Sequence, residues 1–266
     1  MSVASDLTYA CRRCGSELQR RDDALRCRDC GEAVPVVDGD LPRFPVPEDA
    51  SSGEELFDRL AAIYETPAWF SPLYRLVGGP FAPRDDRTRV VRMLAVGRVA
   101  DREGGRATVL DVACGTGRFT RAVAPSVDRA VGIDVSEGML ERARRYADRA
   151  GIENATFARM SADELWFADG TFDGAACCWA LHLLPDPDAA LDEVRRVLRD
   201  GGWFAGATLV DRYVMAAPTV RAAARATIGA DPFAPADLRA RLREAGFEEV
   251  EFDRRGAALF FGARAA

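Results

Sequence analysis

Two cysteine pairs stand near the start of the chain, Cys11-Arg12-Arg13-Cys14-Gly15 and Cys27-Arg28-Asp29-Cys30-Gly31. Each C-x-x-C-G unit puts two thiolates on one tight turn, and the glycine lets the chain fold back. Two such turns facing each other make a tetrahedral four-sulfur site, which suits zinc at Zn–S distances of about 2.3 Å. Iron on the same thiolates and a pair of disulfides are the alternatives. A site closed by four cysteines leaves no coordination position open, so its expected role is structural. Arg12, Arg13, Arg20, Arg21, Arg26 and Arg28 around the site would suit RNA. They are interleaved with Glu17, Asp22, Asp23, Asp29 and Glu32, which makes a solvated, near-neutral surface the better reading.

A second constellation lies at residues 109–119, VLDVACGTGRF. A buried strand runs into a turn of small residues that opens a helix. Small residues let a ligand lie against backbone, and the helix start offers unpaired N–H groups. The next strand ends Gly132-Ile133-Asp134-Val135, which puts a carboxylate about 20 residues after the turn, where a ribose diol could be gripped. The turn lacks the G-x-G-x-x-G spacing of dinucleotide sites, since Gly115 and Gly117 are followed by Arg118 and Phe119. Asp111 beside the turn would repel a pyrophosphate. It suits a ligand with a cationic end, such as the amino group or sulfonium of S-adenosylmethionine.

On these residues the chain resembles the class I methyltransferases, in particular the branch of ubiquinone and menaquinone C-methyltransferases. Residues 111–117 are similar to the family's D/E-x-G-x-G-x-G, with Ala113 in place of the first glycine. Residues 132–136 resemble the second-strand motif whose acid binds the ribose hydroxyls. Residues 161–173, SADELWFADGTFD, resemble the stretch that contacts adenine. The resemblance puts Ser161 at the adenine-contacting position, the Ala162 backbone against the ring, and Asp163 as a substitute acid. Residues 179–187, WALHLLPDP, and 197–202, VLRDGG, match later signatures. Phe57-Asp58 with Tyr64-Glu65 looks like the FD…YD head of the quinone branch, where the tyrosine lies over the donor. The resemblance thus implies a donor pocket of Asp111, Ala113, Gly115, Gly117, Asp134, Val135, Met139, Ser161, Ala162, Asp163, Cys178 and Tyr64. Residues 38–44, DGDLPRF, are similar to a tail that follows such ribbons in methyltransferases. N-terminal ribbons also precede some ribosomal-RNA guanine methyltransferases, so an RNA acceptor stays open.

The one histidine, His182, follows the fourth strand, where donor and acceptor would meet. As a general base it would be well placed, but a framework residue of L-H-x-L-P-D that only lines the pocket is the favoured reading. The absence of N/D-P-P-Y/F after that strand lowers amide and adenine nitrogens as acceptors. Cys114, Cys177 and Cys178 read as small buried hydrophobes without a catalytic role. Residues 54–102 and 211–235, rich in Phe57, Tyr64, Trp69, Phe70, Tyr74, Phe81, Tyr213, Met215 and Phe233, are candidates to build an apolar acceptor pocket.

The elements that must position these residues follow from the pattern. Residues 1–47 read as a zinc ribbon with β-like pieces at 7–10, 24–26 and 33–37, and little that could pack a core alone. A proline-marked exit and polar residues 48–53 make the best linker. Residues 48–106 read as a helical linker and lid, with helices over 55–64 and 85–102 and an aromatic piece at 69–77. Residues 107–266 read as the donor-binding domain. There, strands at 108–112, 129–133, 156–159, 172–178 and 203–209 alternate with helices at 118–123, 137–150 and 189–198, which predicts a parallel sheet covered on both faces. One more helix follows Pro235, and 247–252 with 257–263 read as an antiparallel hairpin. The fold class is therefore α/β, a Rossmann-like, doubly wound, seven-stranded sheet with an antiparallel last strand, plus the small four-cysteine zinc ribbon. The 266 residues carry a net charge of −6 and their 36 basic residues are all arginine. An acidic chain disfavours nucleic acid as a partner. No stretch is long and apolar enough for a membrane span, and no secretory signal is visible, so the expected location is cytoplasmic. The leading expectation is an S-adenosylmethionine-dependent enzyme acting on a small methyl acceptor. RNA base methylation and a fold retained without methyl transfer are the competing readings.

Overall fold

The computed structural model describes residues 7–47, 58, 65, 83–94 and 107–266. The expected linker at 48–53, residues 55–64 other than Asp58, the piece at 69–77 and residues 95–102 lie outside the described residues.

The N-terminal part is an antiparallel sheet in chain order: β1 (Tyr9–Ala10), β2 (Glu17–Arg21), β3 (Ala24–Cys27), β4 (Ala33–Val37) and β5 (Leu41–Pro42). β2 was not expected from the sequence, because ELQRR has no apolar alternation beyond Leu18. Its partner β3 supplies the buried Leu25 and Cys27 instead. After helix α1 (Pro83–Met93) comes an alternation of strands and helices. It runs β6 (Thr108–Val112), α2 (Arg118–Val123), β7 (Arg129–Asp134), α3 (Glu137–Arg149), β8 (Ala155–Arg159), β9 (Phe172–Cys178), α4 (Pro187–Val197) and β10 (Leu198–Leu209). The chain closes with α5 (Pro218–Ile228), α6 (Pro235–Glu244), β11 (Phe247–Arg255) and β12 (Ala258–Ala265).

These strands form one sheet in the order β11-β12-β10-β9-β6-β7-β8. β6 through β10 pair in parallel, while β12 is antiparallel to both β10 and β11. The last strand is antiparallel, as expected, and inserts between β11 and β10. Burial explains the parallel core: all seven residues of β9 are buried, so its two faces both need cover. Alternate residues serve the two faces. Leu110, Ile133 and Cys177 join the core beneath α4 and α6, whereas Val109, Ala130 and Ala176 join the core under α1 and α2. The expected boundary at 198–203 shifts: β10 begins at Leu198, and its register with β9 slips between Leu198 and Trp203. An irregularity there takes up the extra residues between the expected helix end at 198 and the expected strand start at 203.

The ribbon shares the main core. Tyr9, Val34, Val36 and Phe44 belong to the same buried cluster as Leu110 and Phe172. Tyr9 lies 5.1 Å from the Phe44 ring and 5.2 Å from Phe167, which meets Phe172 edge-on at 4.9 Å. Burial of rings such as Phe44 and Phe167 contributes about 1.5–3 kcal/mol each. The ribbon thus obtains from the larger sheet the core its own length cannot supply. Among the described residues no helix is long and apolar enough to cross a membrane.

Candidate functional site

The turn after β6 is built from residues in the left-handed region: Ala113 at φ 52°, Gly115 at φ 55° and Gly117 at φ 71°. The two glycines serve different needs. A Cβ on Gly117 would stand 3.0 Å from both Ala143 Cβ and the Phe157 ring, so this position lets α2 pack closely. Among the described residues, the nearest side chain to a Cβ on Gly115 is Met139 Sδ at 4.0 Å, which leaves room for a ligand against the backbone. Ala113 holds the same backbone without glycine's freedom, at a cost of about 1–2 kcal/mol.

Asp134 ends β7 and faces this turn. Its Oδ2 accepts the Gly115 N–H at 2.8 Å and its Oδ1 accepts the Ser136 N–H at 2.9 Å. Burial pushes its carboxyl up to about 6 against the pull of those N–H groups. Ser136 caps α3 through Met139 N–H at 3.1 Å, and Asp58 accepts from the Ser136 hydroxyl and, at 3.0 Å, from Gly138 N–H. Glu65 accepts from the Thr116 hydroxyl and takes Arg121 at 2.9 and 3.0 Å. The acids of the FD…YD head therefore brace the turn and the start of α3. Tyr64, expected over the donor, lies outside the described residues.

A cavity of about 320 Å³ opens over the turn. It is lined by Ala113, Gly115, Asp134, Val135, Met139, Ser161, Ala162, Asp163 and Cys178, all expected from the sequence. The Ser161 hydroxyl donates to Asp163, so the serine and the proposed substitute acid act as one polar pair. Gly117 does not line the cavity, because it faces α3 and Phe157. Asp111 does not line it either. It is 2% exposed and accepts from Thr120 Oγ1 at 2.6 Å, and burial pushes its carboxyl up to about 7. Direct contact between Asp111 and a ligand is therefore corrected to support of the turn from behind.

His182 departs from the expectation that it lines the pocket. It is buried and absent from the cavity wall, and its Nδ1 lies 3.1 Å from Thr208 Oγ1 and accepts the Leu209 N–H at 3.3 Å. Burial lowers its pKa to about 3. With Nδ1 taking a backbone donor and burial disfavouring protonation, the ring links the segment after β9 to β10, the placement expected of a framework residue.

Among the described residues, the rest of the wall comes from ones the sequence reading did not assign to the pocket: Met160, Trp179, Ala180, Leu183, Leu184, Pro185, Asp186, Ala190, Thr227, Ile228 and Gly229. The last three form the end of α5 and its cap, and none of that helix's residues is buried. Pro218 at its start and left-handed Gly229 at its end were the available signals. Trp179 Nε1 donates to Asp86 at 3.3 Å, and Asp86, fully buried, pairs with Arg118 through contacts of 2.6 and 2.8 Å.

The four N-terminal cysteines come together. Their sulfurs all lie within 4.8 Å of one another, with Cys11–Cys30 at 3.6 Å and Cys14–Cys27 at 3.3 Å. A zinc tetrahedron needs S···S separations of about 3.8 Å, so this thiolate set fits the ion. Gly15 and Gly31, each at φ 76°, close the two turns.

Residues 109–202 match the family model described as "Methyltransferase domain". The uncharacterized methyltransferase YcgJ of Bacillus subtilis is 37% identical over 112 residues, which cover 42% of this chain and 43% of that protein. A demethylmenaquinone methyltransferase of Clavibacter sepedonicus is 40% identical over 118 residues, covering 44% of this chain and 45% of its own. The chain thus spans under half the length of these relatives. Among solved structures, the cyclase SpnF superposes with a TM-score of 0.60 at 23% identity, over 83% of this chain and 97% of that one, which speaks to the fold alone.

Proposed function

We propose that this chain, whose residues 109–202 match the methyltransferase-domain model, is a class I S-adenosylmethionine-dependent enzyme that methylates a small, apolar or aromatic molecule at carbon or oxygen. The observation that carries this reading is the two-sided wall of the cavity. Residues that follow β7 and β8 on one side of β6 supply Asp134, Ser161 and Asp163. Residues that follow β9, on the other side, supply Trp179, Leu183, Leu184 and Pro185, joined by Ile228 from α5.

S-adenosylmethionine, when bound, supplies a methyl group already activated on a sulfonium. The chain's own residues then have to align the partners and keep water out. A carboxylate offers about four lone-pair directions. Asp134 spends two on Gly115 and Ser136 and keeps the others for ribose hydroxyls. The Ser161–Asp163 pair and the Ala162 backbone are suited to adenine, and Trp179 with the leucines to an apolar acceptor. Zinc on the four N-terminal cysteines is part of this reading, as a structural ion in a reducing cytoplasm where thiolates persist.

RNA docking by the ribbon is the weaker reading. Arg12 is paired with Glu193 at 3.4 Å and Arg43 with Glu137, so two of the arginines near the ribbon are already committed.

Calorimetric titration with S-adenosylmethionine and S-adenosylhomocysteine, beside Asp134→Ala, tests the donor site. Labelled methyl transfer into fractionated small-molecule extracts then tests the acceptor class. Binding lost in Asp134→Ala and label in an apolar extract are the expected results. No binding by a folded, zinc-loaded protein would overturn the reading.

A further inference from the structure

The ribbon's tail does not run past the larger domain; it is built into the backbone beside Asp134. Three contacts converge there. First, Arg43 pairs with Glu137, the first residue of α3, directly after the cap Ser136. Second, Phe44 N–H donates to the Arg159 carbonyl at 2.9 Å. Arg159 Nε in turn lies 3.5 Å from Glu137 Oε1 and donates to the Val135 carbonyl at 3.0 Å. Third, Leu41 of β5 is 2% exposed in a cluster with Cys114, Leu140 and Phe157, so it underlies the turn itself. The segment thus gripped, 134–139, carries three wall residues of the cavity, Asp134, Val135 and Met139.

The same tail is tied to the metal turns. Arg43 N–H donates to the Pro35 carbonyl at 2.9 Å, and β5 pairs with β4 through Val36–Pro42 and Val37–Leu41. β4 pairs with β3, whose last residue is the zinc-ligand candidate Cys27. One short antiparallel ladder, continued by Arg43 and Phe44, therefore links the cysteine cluster to the segment that begins at Asp134.

We propose that the ribbon serves the donor site in cis: Arg43, through Glu137 and Arg159, is a positioning residue that holds the 134–139 segment in its donor-binding shape, and metal loading of the ribbon sets donor affinity. This inference rests on the donor-binding reading above. Buried packing has few arrangements open to it, so displacing the tail shifts the segment it supports.

The test uses the full zinc-loaded chain and calorimetric affinity for S-adenosylhomocysteine. Arg43→Ala is expected to weaken binding about tenfold, and Arg43→Lys to restore part of it. Glu137→Gln is expected to weaken binding similarly, and the double variant with Arg43→Ala to add little more. Arg144→Ala is the control. It removes the tail's pairing with Asp38 and Asp40 but touches nothing in 134–139, so it should lower the melting temperature and leave affinity unchanged. Stripping the metal with a chelator should weaken binding at least as much as Arg43→Ala does. If wild type binds but Arg43→Ala binds equally well, or Arg144→Ala weakens binding to the same degree, the positioning role is wrong. If wild type itself fails to bind, the donor reading fails, and the two failures remain distinct.

Discussion

Asp134 Oδ2 accepts the Gly115 N–H at 2.8 Å, so the acid at the end of β7 is fastened to the turn after β6. Ser136 N–H satisfies its other oxygen at 2.9 Å. An ionised carboxylate is needed to accept two backbone donors and a ribose diol together. Burial raises its pKa to about 6, which places the change within reach of experiment. The dissociation constant for S-adenosylhomocysteine is expected to be flat from pH 8 to about 7 and to rise as pH falls through about 6. In Asp134→Asn the amide would set an N–H₂ against one of those donors. Binding at pH 8 should then be at least about tenfold weaker, with the dependence near pH 6 gone. Calorimetry across the range checks both. A wild-type affinity that ignores pH would remove Asp134 as the ribose ligand.

Asp111 gives a stability prediction of the less usual sign. Burial raises its carboxyl to about 7, against about 3.9 for an unfolded aspartate. Between those values the folded chain holds more protons than the unfolded one, so this group's contribution falls as pH rises from about 4 to about 7. Asp111→Asn keeps an acceptor for Thr120 Oγ1 and removes the buried charge. The variant should melt higher than wild type at pH 8, by about 2–4 °C for each kcal/mol recovered, and no higher at pH 4. Thermal melts at the two values decide it. A variant less stable at pH 8 would mean that the ionised form is favoured by its surroundings.

The placement of Asp134 and the correction at Asp111 have one cause. Spacing along the chain shows which residues come to a strand's end, but not which side of the turn each faces. The alternation of strands and helices was enough to read the sheet, and Gly115 and Asp134 fell where that reading put them. Asp111 sits one pleat from the cavity, facing Thr120. The cysteine cluster was legible because two C-x-x-C turns fix their own geometry. What the sequence did not show was long-range: the ribbon's seat on the larger core through Tyr9 and Phe44, and the packing of the end of α5, whose residues are not buried, over the cavity.

His182→Asn tests whether the histidine moves protons. The Asn carboxamide oxygen can accept the Leu209 N–H that Nδ1 now takes, so the link to β10 is kept while the imidazole is lost. Once an acceptor is in hand, kcat/KM is expected to stay within about threefold of wild type, and the pH profile to keep its shape. A general base would cost about 10²–10⁴ and remove a limb of the profile. Lost ring packing should cost about 1 kcal/mol, seen as a melting temperature lower by about 2–4 °C.

Gly206 and Ala113 make a matched pair for backbone and packing effects. A Cβ on Gly206 would stand 2.1 Å from the Cys177 carbonyl and 2.6 Å from the Phe261 ring. β9 and β12 flank β10 on its two sides, so neither neighbour can retreat without opening the sheet. Gly206→Ala should therefore cost more than about 3 kcal/mol, seen as a sharp loss of melting temperature or of folded yield. Ala113 is the opposite case, an alanine held at φ 52° where the family pattern has glycine. Ala113→Gly relieves about 1–2 kcal/mol of left-handed strain. Against this stands the extra freedom glycine gives the unfolded chain, about 0.4–1 kcal/mol. The variant should melt at or slightly above wild type and bind S-adenosylhomocysteine as well, since no cavity side chain beyond one methyl is lost. A melting point clearly below wild type would show that the Ala113 methyl contributes packing that outweighs its strained backbone.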